Sequence, residues 1–252
     1  MIKAFIFDVD GTLADTERDG HRVAFNQAFK QAGLDWFWDE NTYAELLAVT
    51  GGKERMKFYV EQHNKPEKDN PELEQMIRKL HAQKTVNYVA LLNDNAIPLR
   101  SGVKRLLKEA RAANIRLAIA TTTTPQNVTA LLENALGKES LDWFEVIGAG
   151  DIVPNKKPAA DIYDYVLKEM DLSASHCVAF EDSLNGIKSS LGAKLSTVIT
   201  YNGYTQDDDF SGALLVLDKY GDPEDPSEVL EKTIGQPYLT VESIIKLCHE
   251  VL

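Results

Sequence analysis

The stretch FDVDGTLADT, residues 7–16, ends an apolar run that starts at Ile2 and closes on two aspartates, Asp8 and Asp10, followed at once by Gly11 and Thr12. The run reads as a buried strand. In an extended chain residues two apart point to one face, so both carboxylates address one site, splayed by the turn that Gly11 begins. Like charges this close disfavour each other unless a cation or a shared proton lies between them. Taken alone, the string also suits a turn and a helix cap. What decides between these readings is what the rest of the chain brings to the same place.

Similar apolar runs recur at residues 116–120, 144–148, 176–180, 195–199 and 214–217. Segments of helical period separate most of them, at 103–113, 125–136, 159–170 and 184–191; in the first, Val103, Leu106, Leu107 and Ala110 share a face. Strand and helix in alternation predict an α/β fold, a Rossmann-like, doubly wound parallel sheet, whose ligands bind at the carboxyl ends of the strands. Residues 16–93 break the alternation. They show only helical patterns (17–32, 40–48, 54–62 and 71–92, the last after the polar loop HNKPEKDNPE), and NDNAIPLRSG, residues 93–102, reads as the linker back. The expected organisation is a core of residues 1–15 and 94–252 with an all-helical domain, residues 16–93, inserted after the first strand.

Composition narrows the partners. Of 252 residues 44% are apolar and 26% charged, as in globular chains, and no apolar run nears the ~18 residues that cross a bilayer. A net charge of −12 argues against nucleic acid and anionic membrane, which select positive surfaces. Residues 16–93 hold 11 basic and 12 acidic side chains against 16 and 27 in the rest, so the acidity belongs to the sheet domain. Cys177 and Cys248 match neither a metal spacing nor a disulfide framework and read as small core residues in a reducing compartment. Small molecules remain as ligands.

Three later strings fall at predicted strand ends, on the rim where Asp8 and Asp10 lie. TTTTP, residues 121–125, offers hydroxyls and a helix start to an anion, although Thr122–Thr124 also suit a plain cap before Pro125. NKKPAADIY places Lys156 and Lys157 before Pro158. EDSLNGI supplies a second acidic pair, Glu181 and Asp182, which also fits helix capping. Carboxylates from two strand ends are the hard oxygen donors that Mg²⁺ prefers, and Thr and Lys neutralise and orient a phosphoryl group beside it.

DVDGT, a strand-end Thr, a Lys-Pro and EDS, in that order, resemble the four motifs of the haloacid dehalogenase superfamily, and the helical insertion is similar to that superfamily's cap domain. The resemblance spans essentially the whole chain. It implies that Asp8 is the nucleophile that forms an aspartyl-phosphate and that Asp10 is the general acid and then the base. It further implies that Thr121 and Lys157 bind phosphate, with Lys156 the alternative to Lys157, and that Asp8, Glu181, Asp182 and the main-chain carbonyl of Asp10 hold Mg²⁺. The metal-free dehalogenases and the phosphonate hydrolases lack the second aspartate, so Asp10 leaves phosphoryl transfer. Thr12 resembles the phosphatases more than the mutases.

Within phosphoryl transfer, DTERDGHRVAFNQAF, TGGKERM and YNGYTQDDDFSGALLVLDKYGDP resemble the CbbY-type phosphatases. That likeness implies a sugar-phosphate substrate, xylulose-1,5-bisphosphate, an inhibitory by-product of carbon fixation by Rubisco; the alternatives are a phosphomutase of the beta-phosphoglucomutase type and a non-enzymatic sugar-phosphate sensor. Glu17 and His21, four apart on a helix beside the rim, share a face that suits sugar hydroxyls or phosphate, though His21 also fits simple packing. Lys53 and Arg55, behind two glycines, suit a distal phosphate or a plain glycine turn with solvated charges. The acidic run QDDDF reads as a solvated turn, and the tryptophans of DWFWDE as wedges in a small helical core. A monomer is expected, in the cytoplasm or, where a transit peptide precedes this chain, in the plastid stroma.

Overall fold

The computed structural model describes residues 1–63, 70–94 and 97–251. Parts of the polar loop and of the return linker read from the sequence, residues 64–69 and 95–96, lie outside the described residues. Six strands, β1 (Ala4–Phe7), β2 (Arg116–Ala120), β3 (Phe144–Gly148), β4 (Cys177–Glu181), β5 (Ser196–Thr200) and β6 (Leu215–Leu217), form one parallel sheet of order β3-β2-β1-β4-β5-β6. β1 is central and buried throughout, with Ala4 paired to Arg116 on one side and Cys177 on the other. The winding reverses at β1, so the carboxyl ends of β1, β2 and β4 open onto the crevice where such sheets bind ligands.

The insertion opens with a π-helical turn, Glu17–His21, and continues through α1 (Arg22–Gln31), α2 (Glu40–Leu46), α3 (Gly52–His63) and α4 (Leu73–Asn93). Among the described residues it contains no named strand, and it has a core of its own built on Phe25, Phe29, Trp36, Trp38, Tyr43 and Leu80. The expectation of one helix over residues 17–32 is corrected at its start. Gly20 sits in the wider turn because a Cβ there would lie 2.5 Å from Ile97 Cδ1, and the turn carries His21 inward. The base of the insertion is fastened rather than loose: Ala14 bridges Leu99, the Arg100 N–H donates to the Leu13 carbonyl at 2.9 Å, and Tyr88 and Leu92 of α4 join the sheet's own core.

Helices α5 (Val103–Ala112), α6 (Pro125–Leu136), α7 (Asp161–Glu169), α8 (Leu184–Gly192), α9 (Glu228–Ile234) and α10 (Val241–Val251) complete the fold. Period-2 alternation divides the core. Phe5 and Phe7 join Leu106, Leu131, Phe180 and Leu217 on one face, while Ala4 and Ile6 join Tyr163, Val166 and Ala179 on the other. Cys177 and Cys248 are buried free thiols. No helix among the described residues is long and apolar enough to cross a membrane. The last two helices have no counterpart in the sequence reading.

Trp38, fully buried among Phe25, Phe29 and Tyr59, is the central wedge of the insertion. Trp38→Ala is expected to destabilise it by roughly 3–5 kcal/mol. Hydrogen exchange should then show α1–α4 losing protection while β1 and β4 keep theirs; uniform loss across the sheet would contradict a separate helical core.

Candidate active site

Parallel pairing sets the positions of the acids. Phe7 lies opposite Phe180 and the Asp8 N–H donates to the Phe180 carbonyl at 2.9 Å, so Asp8, just after β1, and Glu181 and Asp182, at and just after the end of β4, are forced together. One oxygen from each of the three carboxylates lies within 4.8 Å of the others, and all three residues are buried. Lys157 is the cation among them. Its Nζ donates to Asp8 Oδ1 at 2.6 Å, Glu181 Oε1 at 2.6 Å and the Ala120 carbonyl at 2.9 Å. Asp182 Oδ2 accepts from Asn202 Nδ2 at 2.8 Å, and the Thr12 hydroxyl stands 3.5 Å from its Oδ1. Gly11, at φ +85°, must lack a side chain, since a Cβ would lie 2.1 Å from Asp182 Oδ2.

Burial pushes the Asp8 carboxyl up to about 7; Lys157 opposes the rise and Glu181 adds to it. Burial, then the charges of Asp8 and Glu181, also hold Asp182 well above the usual carboxylate range. Asp10 is the opposite case. Burial favours its neutral form, but His21, Thr16 and Lys84 together outweigh that and hold it below the ordinary range. His21 Nε2 is 2.9 Å and the Thr16 hydroxyl 2.7 Å from Asp10 Oδ1, and His21 Nδ1 is 2.8 Å from Lys84 Nζ. Burial lowers Lys84 to about 8 against the pull of Asp10 and Glu17.

The remaining candidates divide. Thr121 is buried in the cavity wall, whereas Thr124 caps α6 through the Asn127 N–H at 3.4 Å; TTTTP therefore contains both a site residue and a cap. In EDS, Ser183 caps α8 and leaves Glu181 and Asp182 to the cluster. Lys156 turns away from the cluster to Glu54 at 3.0 Å and Asp151 at 2.9 Å, and Lys53 pairs with the same Asp151 at 2.6 Å. Arg55 is buried, 3.5 Å from Glu17 and 2.7 Å from the Tyr43 hydroxyl, which itself donates to Glu17. Asp208 of QDDDF is no plain solvated turn residue, since it accepts from the Leu184 N–H at 2.9 Å and so holds the start of α8.

Sequence reasoning missed Lys84, Tyr43, Asn202 and Thr16. Lys84 alone left a trace, a lysine four residues before Tyr88 on a helix face that is otherwise buried.

Two cavities meet here. One, of about 440 Å³, is lined by the carboxylate cluster, Lys157 and Thr121. The other, of about 510 Å³, is lined by Lys53, His81, Lys84 and Lys156 and by the start of α6. Asp10, Glu17, Arg55 and Thr122 border both. The cluster fits a divalent cation: its buried oxygens outnumber the one lysine, and the raised Asp8 and Asp182 register the missing positive charge.

A family model described as haloacid dehalogenase-like hydrolase matches residues 2–193. Protein CbbY of Cereibacter sphaeroides is 44% identical over 222 residues, covering 88% of this chain and 94% of that protein. The crystal structure of a CbbY mutant from Rhodobacter sphaeroides in complex with xylulose-(1,5)bisphosphate is similar at a TM-score of 0.81 and 45% identity, over 87% of this chain and 95% of that one. The beta-phosphoglucomutase structure from Clostridium difficile reaches a TM-score of 0.76 over 100% of this chain and 99% of that one, but at 24% identity the likeness extends to the fold alone.

Because burial raises the Asp8 carboxyl to about 7 and holds Asp182 above the usual carboxylate range, binding of Mg²⁺ to the protein at pH 7 is expected to release protons and to tighten as pH rises through 7. Calorimetric titration in buffers of different ionisation enthalpy measures the release. Identical heats in all buffers would contradict it.

Proposed function

The chain belongs to the haloacid dehalogenase-like hydrolases, and from that premise we propose that it is a Mg²⁺-dependent phosphatase that removes one phosphate from a small sugar bisphosphate. The reference substrate is xylulose-1,5-bisphosphate, the ligand named for its structural relative. The observation that carries this reading is the pair of adjoining cavities, one around the buried carboxylate cluster and Lys157 and the other bordered by Lys53, Lys84 and Lys156, with a shared border at Asp10, Glu17, Arg55 and Thr122. The reacting phosphate goes to the first and the distal phosphate to the second.

Lys157 engages Asp8 Oδ1, which leaves Oδ2 free to attack phosphorus in line. Thr121 and Lys157 hold the phosphoryl oxygens. Asp8, Glu181, Asp182 and the Asp10 carbonyl would hold Mg²⁺, which when bound would supply positive charge to those oxygens. The Asp8 oxygen bonds to phosphorus as the sugar oxygen leaves with a proton from Asp10. That proton has a source in the contacts already described: Lys84 donates to His21 Nδ1 while His21 Nε2 gives its proton to Asp10. In the second half, the Asp10 carboxylate takes a proton from water, the hydroxide oxygen bonds to phosphorus, and the acyl-phosphate bond to Asp8 breaks. Glu17, steadied by Tyr43 and Arg55, orients the sugar hydroxyls; His21 borders them, and Lys53 and Arg55 face the distal phosphate. The domain division at residues 16–93 gives this site a cap that excludes bulk water during transfer.

Three measurements follow from these roles. Asp8→Asn and Asp10→Asn should each reduce release of inorganic phosphate from xylulose-1,5-bisphosphate to background; turnover by either variant, or isomerised sugar monophosphate without phosphate release, counts against the phosphatase. Lys53→Ala or Arg55→Ala, losing a charge-assisted contact, should raise KM for the bisphosphate by roughly 10-fold or more and leave p-nitrophenyl phosphate hydrolysis nearly unchanged; equal effects on both would remove the distal site. With Lys84 lowered to about 8 by burial, its proton is present below that pH and lost above it, so kcat should fall on the alkaline side near pH 8. That limb should be absent in Lys84→Met.

A further inference from the structure

Tyr163 lies on α7, at the end of the string NKKPAADIY, where the sequence reading assigns it no role, and is fully buried. Its hydroxyl donates to Glu181 Oε1 at 2.5 Å, and the Lys157 ammonium donates to the same oxygen at 2.6 Å. The tyrosine ring also lies 5.3 Å from Lys157 Nζ, within cation–π range. One side chain therefore touches both the acid and the base that flank the nucleophile. On the other side, Glu181 Oε2 rests against Gly186, where a Cβ would lie 1.9 Å away. The carboxylate is thus held between two donors and a residue that must have no side chain.

Packing does not require the hydroxyl. The ring sits among Ala4, Ile6, Val166 and Ala179, a setting that phenylalanine would fill as well, so the oxygen has a separate purpose. Without it, Glu181 Oε1 keeps only Lys157, which is shared with Asp8 and the Ala120 carbonyl. Glu181 and Lys157 would then be free to pair more closely with each other and turn away from the cluster.

We propose that Tyr163 is a positioning residue for the divalent cation: its hydroxyl fixes the Glu181 rotamer and divides Oε1 with Lys157, so that Glu181 faces the cation together with Asp8 and Asp182. The inference rests on the Mg²⁺ reading of the cluster. It is tested by titrating Mg²⁺ calorimetrically into the substrate-free protein and its Tyr163→Phe variant, which retains the ring. Partners of metal ligands typically contribute 10–100-fold to affinity, and binding by the variant should weaken within that range. Its kcat at saturating Mg²⁺ should return to within about twofold of wild type, so the loss is recovered by added metal. Tyr165→Phe, a change on the same helix, should leave Mg²⁺ affinity unaltered. In a Glu181→Gln background, Tyr163→Phe should produce no further loss.

Wild-type Mg²⁺ affinity in Tyr163→Phe would overturn the proposal, as would a fall in activity that added Mg²⁺ does not recover, or a further loss in the Glu181→Gln background. A weakening in Tyr165→Phe equal to that in Tyr163→Phe would also overturn it, by showing a general effect of α7. Absence of Mg²⁺ binding by the wild-type protein would remove the metal reading and this inference with it.

Discussion

Three buried carboxylates held against one lysine are the constraint on which this molecule is built. The crowding is imposed by the backbone, because β1 and β4 are hydrogen-bonded neighbours and their register delivers Asp8 next to Glu181 and Asp182. At 4.8 Å and an effective dielectric near 20, two unit charges repel by on the order of 3 kcal/mol. Lys157 cannot offset three such pairs, so the cluster must hold a proton or recruit a cation. That imbalance suits the site, at the end of a rigid strand, to a divalent cation.

A second polar set gathers around Asp10. Asp10, His21 and Lys84 are drawn from β1's turn, the π-helical turn and α4, so two of its three members belong to the insertion. The two sets share the crevice but have opposite charge balance, and this keeps Asp8 hard to ionise and Asp10 easy to ionise although the two residues are only two apart in sequence. Consecutive lysines link the halves: Lys157 reaches Asp8, while Lys156 reaches Glu54 on α3 and Asp151 after β3. Asp151 is 60% exposed, so its ion pairs contribute only about 1 kcal/mol or less each. Contacts of that size can break and reform as a cap opens and shuts.

Much of the fold was legible because the strands are short apolar runs with clear punctuation; β2 and β3 begin and end where the sequence puts them, and the other four shift by one or two residues. Strand order was not legible, since periodicity says which residues are buried but not which strands pair. The helices over residues 228–251 escaped notice because they follow the last strand and no alternation called for them. For the site, local strings identified the acids, Thr121 and Lys157, but residues that act from a distance left little trace. Lys84 lies 63 positions from His21, and Tyr163 looks like any aromatic core residue on an amphipathic helix. Their roles come from a tertiary neighbour, which no window of sequence contains.

During synthesis β1 is made well before either of its sheet partners. Ala4 must wait for Arg116 on one side and for Cys177 on the other, so β1 emerges without a partner and stays exposed while the insertion is translated. The insertion has an aromatic core of its own, whereas pairing β1 requires closing longer loops, which is slow. The helical unit is thus translated before the acidic cluster can exist, and the repulsion among the three carboxylates arises only when β4 docks beside β1.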